Sequence, residues 1–503
     1  MSAAAWVLGA ATAVTLVWRH ARAPVLLGDT CQFLRVAESI RRERRFPGVL
    51  EYNLMDAIER VEFDYPPLLV LLLVLWPPAV IERRLRLVLV VNDLAALAST
   101  AAMAWALTRS VDAAAVAAAV YAATPNLCGQ TAMLTARFLS LALFPLSLGL
   151  ALLAAAGQGP PWLLLPAALA GALLLLANAL AIQAWLAVVL ALLLASDARA
   201  VWAGYGAACL VLSYALGGRI AWRVHRGLVS KLVTLKRHRM DDIRIRQFDL
   251  LQKVRGGDGA PRPVPGLTLR LLGRAFLFIE YPAMWTLIVA AGLGWRPRPW
   301  TDLHTWLAVL VAAHLSVDTI AGLRFVGPAH RYLSYGLVPL AVLIATALPV
   351  APTTLRVVLA ASLLAGIALG HRRLAALTAG TERVASELRD LGARLGATPL
   401  RRLLVLPMHL SDPVGYLTGK AMLHGWASRA WGVGPRYGIY PVLERPLDDV
   451  VATFGLDGLV LRKDYVRVEE LAVSGARLVI DTPAFAVYAV GEALYPVGEA
   501  SRP

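Results

Sequence analysis

Residues 161–196 read PWLLLPAALAGALLLLANALAIQAWLAVVLALLLAS and contain no Asp, Glu, Lys or Arg. Asn178 divides them into two continuous apolar runs, 161–177 and 179–196. A hydrocarbon core roughly 30 Å thick is crossed by about 20 apolar helical residues. Backbone polar groups in lipid find no water, so only helices and closed barrels can span it. The runs do not alternate apolar with polar, so helices are expected.

The same pattern recurs on both sides. Candidate spans are 3–19, 85–107, 112–126, 137–156, 161–177, 179–196, 200–216, 271–293, 302–322, 331–350 and 354–370. The chain of 503 residues is 58% hydrophobic with mean hydropathy +0.62. Soluble domains are about 45–50% apolar. The expected fold is an α-helical polytopic membrane protein with 11–12 hydrophobic segments over residues 1–370, followed by a smaller domain at 371–503. Segment 3–19 lacks a charged leader region and a clean cleavage site, so it reads as a retained span, not a signal peptide. Cys31, Cys128 and Cys209 are scattered and suggest neither a disulfide framework nor a metal site.

Segment 66–81 is bounded by Pro66-Pro67 and Pro77-Pro78. It is either a short span or a re-entrant hairpin, because paired prolines mark sharp boundaries. The re-entrant reading is favoured. It puts the first loop, 127–136, 217–270, 323–330 and the C-terminal domain on one side. The formal net charge is +16. On a membrane protein that balance points to anionic lipid headgroups or phosphate-bearing substrates. No nucleic-acid-binding motif accompanies it. Much of the charge lies in 217–270, where Arg219, Arg223, Arg226, Lys231, Lys236 and others alternate with leucines. This is the pattern of basic interfacial helices, serving as an anchor or as a lid over a lipid-phosphate site.

After residue 370 apolar density falls. Short runs at 403–406, 459–461, 478–480 and 485–490 have strand character, with helical patterns at 380–395, 413–423 and 446–454. Strands alternating with helices predict a small α/β domain.

The loop 20–66 carries the chemistry-bearing residues. It holds eight carboxylates between Gly28 and Leu68. Ionisable groups at a membrane boundary are costly unless they face water, a partner or a substrate. Gly28-Asp29 follows the first span, an amphipathic pattern with Phe33, Ala37 and Ile40 comes next, and Tyr65-Pro66-Pro67-Leu68 closes the loop. Late in the chain, Arg324 precedes Gly327-Pro328-Ala329-His330-Arg331-Tyr332, which opens a span containing Pro339. This arrangement resembles the GT-C superfamily of membrane glycosyltransferases, which includes protein O-mannosyltransferases and lipid A aminoarabinose transferase-like enzymes. The resemblance implies a sugar transferred from a polyprenyl-phosphate donor, with the loop holding an essential Asp at the position of Asp29. It also implies a plasma-membrane enzyme whose active site and C-terminal domain are extracytoplasmic.

The residue types suit that reaction. A carboxylate can accept or orient the acceptor's proton, and Asp29 is the candidate base. Its alternative role is to cap the following helix. Arginine's planar fork holds phosphate oxygens, so Arg324 and Arg331, with His330 and Tyr332 beside them, are candidate substrate-binding residues. Glu62, Asp64 and Tyr65 can hold a sugar hydroxyl, or simply form a solvated loop. The family's second loop often carries another acid, but 126–138 has none. Arg137 there either binds phosphate or anchors at the membrane edge. A divalent metal is conceivable but unsupported, since the nine histidines are isolated. Asp56 and Glu59 read as a surface face, and Asn178 and Gln183 as water-facing. Asp93, inside a predicted span, must be buried, caps a break or pairs with an arginine from a neighbouring helix. The rival functions are a lipid-linked sugar flippase, which needs paired broken spans that are not seen, and a glycan polymerase or ligase.

Overall fold

The computed structural model describes residues 2–21, 28–237, 280–293, 301–347, 351–425, 446–471 and 473–491. The chain forms two compact units. One comprises Met1–Val25, Asp64–Leu228 and Pro265–Gly380; the other comprises Leu26–Phe63, Val229–Val264 and Thr381–Pro503.

The first unit is helical. Its elements are α1 (Ala3–Ala21), α4 (Leu68–Val74), α5 (Pro78–Thr108), α6 (Val111–Ala122), α7 (Pro125–Thr131), α8 (Ala136–Ala155), α9 (Leu164–Leu175) and α10 (Ala179–Ala195). It continues with α11 (Arg199–Arg237), α12 (Met284–Gly292), α13 (Thr301–Thr319), α14 (His330–Ala347) and the first part of α15 (Thr353–Gly396). α5, α8, α11 and α15 are each long and apolar enough to cross a membrane, and α6 with α7 makes a fifth if that bent pair is one span. The chain is a polytopic membrane protein of helical fold, as the apolar runs predict.

Local chemistry sets the boundaries. The hydroxyl of Ser110 caps α6 by accepting from the Ala113 N–H at 3.2 Å. The Asn178 carbonyl caps α10 by accepting from Leu180 and Ala181 N–H at 2.9 and 3.2 Å. Both satisfy amides that a helix start leaves unpaired. Pro125 opens α7 after a 66° bend from α6. Gly218, at φ 50° and ψ −128°, breaks α11 into two helices where the span 200–216 was expected to end. That backbone geometry is one only glycine adopts without strain.

The stretch 66–81 is not a single element. α4 has seven residues, about 10 Å at 1.5 Å per residue, too short to cross a bilayer. Pro77-Pro78 then starts α5, whose first turns carry exposed Glu82, Arg83, Arg84 and Arg86. Segment 271–293 is described only from residue 280, and 238–270 of the basic stretch also lies outside the described residues. Within the unit, Trp185, Trp202, Trp306, Tyr205, Phe138 and Phe144 are fully buried. Large apolar side chains such as Leu194, Val17 and Leu165 are outward and more than 70% exposed, as a lipid-facing surface requires.

The second unit is a five-stranded mixed sheet with helices. Strands β1 (Arg402–Leu406), β2 (Ala421–Met422), β3 (Gly458–Arg462), β4 (Arg477–Asp481) and β5 (Phe485–Ala489) lie in the order β2-β1-β3-β5-β4. β1 is parallel to β2 and β3, and β5 is antiparallel to β3 and β4. α16 (Ser411–Thr418) and α17 (Leu447–Phe454) join them. All four expected strands are present. The helix expected over 413–423 stops at Thr418, because Gly419 takes a left-handed conformation (φ 69°) and the chain turns into β2. The first loop is part of this unit. α2 (Asp29–Glu43) packs on α16, while Leu54 and Met55 of α3 (Leu54–Ile58) enter the core with Leu404, Leu406 and Phe454. The backbone at Asn53 bridges to Met422 at the sheet edge, and Met422 N–H donates to Tyr52 at 2.9 Å.

Candidate functional site

Asp29 is the first residue of α2, and the N-cap position is taken by Gly28 at φ 52°. Asp29 lies inside the first turn. A carboxylate there is favoured by the helix dipole. Its geometry is fixed by the backbone bond from Gln32 N–H to the Gly28 carbonyl, 3.2 Å long, which brackets it. Although α2 is polar in composition, ten of its residues from Thr30 to Ile40 are buried.

Arg35 fixes α2 in its unit. The guanidinium lies 3.9 Å over the Tyr52 ring, donates to the Lys420 carbonyl and fits against Gly415, where a side chain would collide with it. Burial lowers its pKa, and Tyr52 and Asp412 oppose the shift. Glu62, in the same unit, is exposed, and its backbone bridges to Val49. Asp56, expected on a surface, is only 3% exposed, because the turn it belongs to enters the sheet's core.

In the first unit, Arg137 and Arg331 both lie near Tyr335. Each is the second residue of its helix, α8 and α14 respectively, and each is half-buried. Tyr335 joins them. Its hydroxyl lies 2.8 Å from Ser140 Oγ, its ring stacks on Phe144 at 4.5 Å, and both guanidiniums lie within electrostatic reach of it. Ser140 is one turn beyond Arg137 and Tyr335 one turn beyond Arg331, so the first turns of the two helices are in contact. Two cations and two helix N-termini thus share one end, an arrangement suited to an anion.

The neighbouring candidates differ in role. His330 is exposed at the start of α14. The hydroxyl of Tyr332 donates to Gln183 Oε1 at 2.7 Å, tying α14 to α10. Gln183 is thereby half-buried and paired, and Asn178 is buried as a cap, so the water-facing expectation for both is corrected. Arg324 lies in the 3-10 turn Ala321–Val326, and its side chain is outside the described residues. Asp64 and Tyr65 are half-buried, and the Asp64 carboxylate occupies the space that Gly227 leaves on α11. The stretch 126–138 forms α7 and the start of α8, not an open loop. Asn126 Nδ2 donates to Ser334 Oγ at 3.0 Å and to the Tyr281 hydroxyl, and Gln130 Nε2 donates to Ser334 Oγ at 2.9 Å.

Sequence reasoning did not assemble one enclosed ionic group. The Asp93 carboxylate accepts from Arg19 Nη1 at 3.0 and 3.3 Å and from the Tyr121 hydroxyl at 3.0 Å, and lies 2.9 Å from His20 Nε2. Arg19 also donates to the Ala122 carbonyl. Asp93 within a span was the visible half of this pair. Arg19 was hidden because an arginine at a helix end normally reaches for solvent. Among the described residues, no three His, Cys, Asp or Glu side chains are grouped so as to hold a metal ion.

The fold that carries these residues is shared with solved structures of two membrane proteins. The crystal structure of ArnT from Cupriavidus metallidurans bound to undecaprenyl phosphate matches 98% of this chain and 99% of its own, with TM-score 0.57 and 15% identity. The apo structure of ArnT matches equally, with TM-score 0.57 and 15% identity over 97% of this chain and 98% of that one. The Archaeoglobus fulgidus oligosaccharyltransferase in complex with Zn and sulfate matches 91% of this chain and 68% of its own, at TM-score 0.55 and 13% identity. No family model and no curated protein matches the sequence.

Proposed function

We propose that this protein is a glycosyltransferase moving a sugar from a polyprenyl-phosphate donor to an extracytoplasmic acceptor. The observation that carries the reading is the placement of Arg137 and Arg331 near Tyr335 at the N-termini of α8 and α14. It occurs on a fold shared, end to end, with a protein bound to undecaprenyl phosphate. Two guanidiniums near one tyrosine suit a phosphate whose negative charge grows as it leaves.

In the proposed reaction an acceptor oxygen attacks the anomeric carbon. The bond from that carbon to the donor phosphate breaks, and its electron pair stays on the phosphate oxygen held by Arg137 and Arg331. The acceptor proton passes to Asp29, the general base. His330 at the start of α14 is a further donor, Arg324 is a further candidate for the phosphate, and Glu62, Asp64 and Tyr65 bind hydroxyl groups. The basic faces at Arg219, Arg223 and Arg226 attract anionic headgroups. The reaction takes place at the outer face of the plasma membrane. The helical unit forms the membrane domain, and the sheet unit, which includes the first loop, forms the extracytoplasmic domain.

The test is reconstitution of the purified protein in liposomes with polyprenyl-phosphate-linked mannose, glucose, galactose or arabinose. Release of the polyprenyl phosphate coupled to acceptor glycosylation is expected with at least one donor. Facilitated movement of an intact lipid-linked sugar between leaflets, with no release, would favour the flippase reading.

A further inference from the structure

Gln32 is 1% exposed, and neither its Nε2 nor its Oε1 has a hydrogen-bond partner among the described residues. Its position makes this informative. Three residues of α-helix turn through about 300°, so Gln32 stands about 60° from Asp29 on α2, one turn along. Side chains three apart on a helix are neighbours, about 5–6 Å between Cβ atoms. The residues flanking it, Cys31, Phe33, Leu34 and Val36, are apolar and buried. An apolar residue at this point would avoid leaving a donor and an acceptor both unmet. Buried polar groups are nearly always paired, and an exception needs an explanation.

We propose that Gln32 is a substrate-recognition residue, whose carboxamide hydrogen-bonds a hydroxyl group of the molecule that Asp29 engages. This rests on the glycosyltransferase reading. A neutral amide that both donates and accepts complements a hydroxyl, which does the same. The hydroxyl belongs either to the transferred sugar or to the acceptor. The amide orients it so that the carboxylate one turn away meets the acceptor proton and not a neighbouring group. Gln32 is thus a residue whose unmet bonds cost stability in the free protein and are made when substrate binds.

The test uses the full-length protein in liposomes with whichever polyprenyl-phosphate sugar, from mannose, glucose, galactose and arabinose, turns over fastest. Gln32→Met and Gln32→Leu remove the polar atoms while keeping the volume. Both variants are expected to melt at or above the wild-type temperature, and kcat/KM is expected to fall about 10- to 100-fold, as loss of 1–3 kcal/mol implies. A fall seen when donor is varied at saturating acceptor assigns the hydroxyl to the sugar. A fall seen only when acceptor is varied assigns it to the acceptor. Stable variants with kcat/KM within twofold of wild type overturn the proposal. So does loss of folding in both variants, since it would show that the amide has a structural partner. If the wild-type protein transfers no sugar from any donor, the broader functional reading fails instead.

Discussion

Replacing Asp93 by asparagine probes the best-defined ionic group in the first unit. The carboxylate is 1% exposed and has three donor groups around it: Arg19 at 3.0 and 3.3 Å, Tyr121 at 3.0 Å and His20 at 2.9 Å. Asn keeps the shape and removes the charge. The Arg19 side chain, itself 1% exposed, is then left buried without its counter-ion. Removing one partner of a buried ion pair costs about 3–5 kcal/mol, whereas replacing both with apolar groups is often neutral. Arg19→Met should cost less than Asp93→Asn, because Tyr121 and His20 still serve the carboxylate. In the Arg19→Met background, Asp93→Asn should cost only a fraction of its value alone. Thermal unfolding of the detergent-solubilised protein, followed by tryptophan fluorescence, should show Asp93→Asn melting about 3–5 °C lower than wild type. An Asp93→Asn protein melting within 1–2 °C of wild type would refute the reasoning, because the guanidinium would then have another way to be satisfied.

Further outcomes follow from the other sites. Arg137→Gln and Arg331→Gln should each weaken binding of undecaprenyl phosphate about 10- to 100-fold, from about 1.5–3 kcal/mol per lost charge-assisted bond. The double variant should lose less than the two losses combined if both arginines hold one phosphate; isothermal titration in nanodiscs reads this. His424 in the second unit is buried, which depresses its pKa to about 3. Its unfolded value is about 6.5, so below that pH the unfolded chain binds a proton that the folded one does not. The stability tied to this residue is intact above pH 6.5 and is lost as pH falls from there toward 3. Between pH 7 and 5 the loss should be about 2 kcal/mol. Urea unfolding of the full chain, reporting on the sheet, should show this, and His424→Phe should flatten it.

The membrane helices were legible because a run such as 179–196 has one stable form in lipid, whatever its neighbours are. The strands at 403–406 and 485–490 were legible for a similar reason: their apolar faces are sealed by the sheet itself. What sequence could not show were pairings between distant segments. Asp93 was recognisable as a buried carboxylate, but nothing near it in the chain names Arg19, 74 residues away. The first loop was read as a separate catalytic loop. Its union with the sheet through Asn53 and Met422 depends on backbone bonds that no residue type signals. The nearness of Arg137 and Arg331 to Tyr335 was half visible, since each was singled out alone; only the fold shows their common neighbour. Gln32 passed unnoticed because glutamine within a polar helix normally faces water.

The claim on which the account turns is that Asp29 takes the acceptor's proton while the lipid phosphate is held elsewhere. It is tested most directly by comparing Asp29→Asn with wild type in two assays: sugar transfer in liposomes and undecaprenyl-phosphate affinity in nanodiscs. Loss of a general base lowers turnover by about 100- to 10,000-fold, and affinity for the lipid should stay within about twofold. Transfer by Asp29→Asn at the wild-type rate would contradict the account.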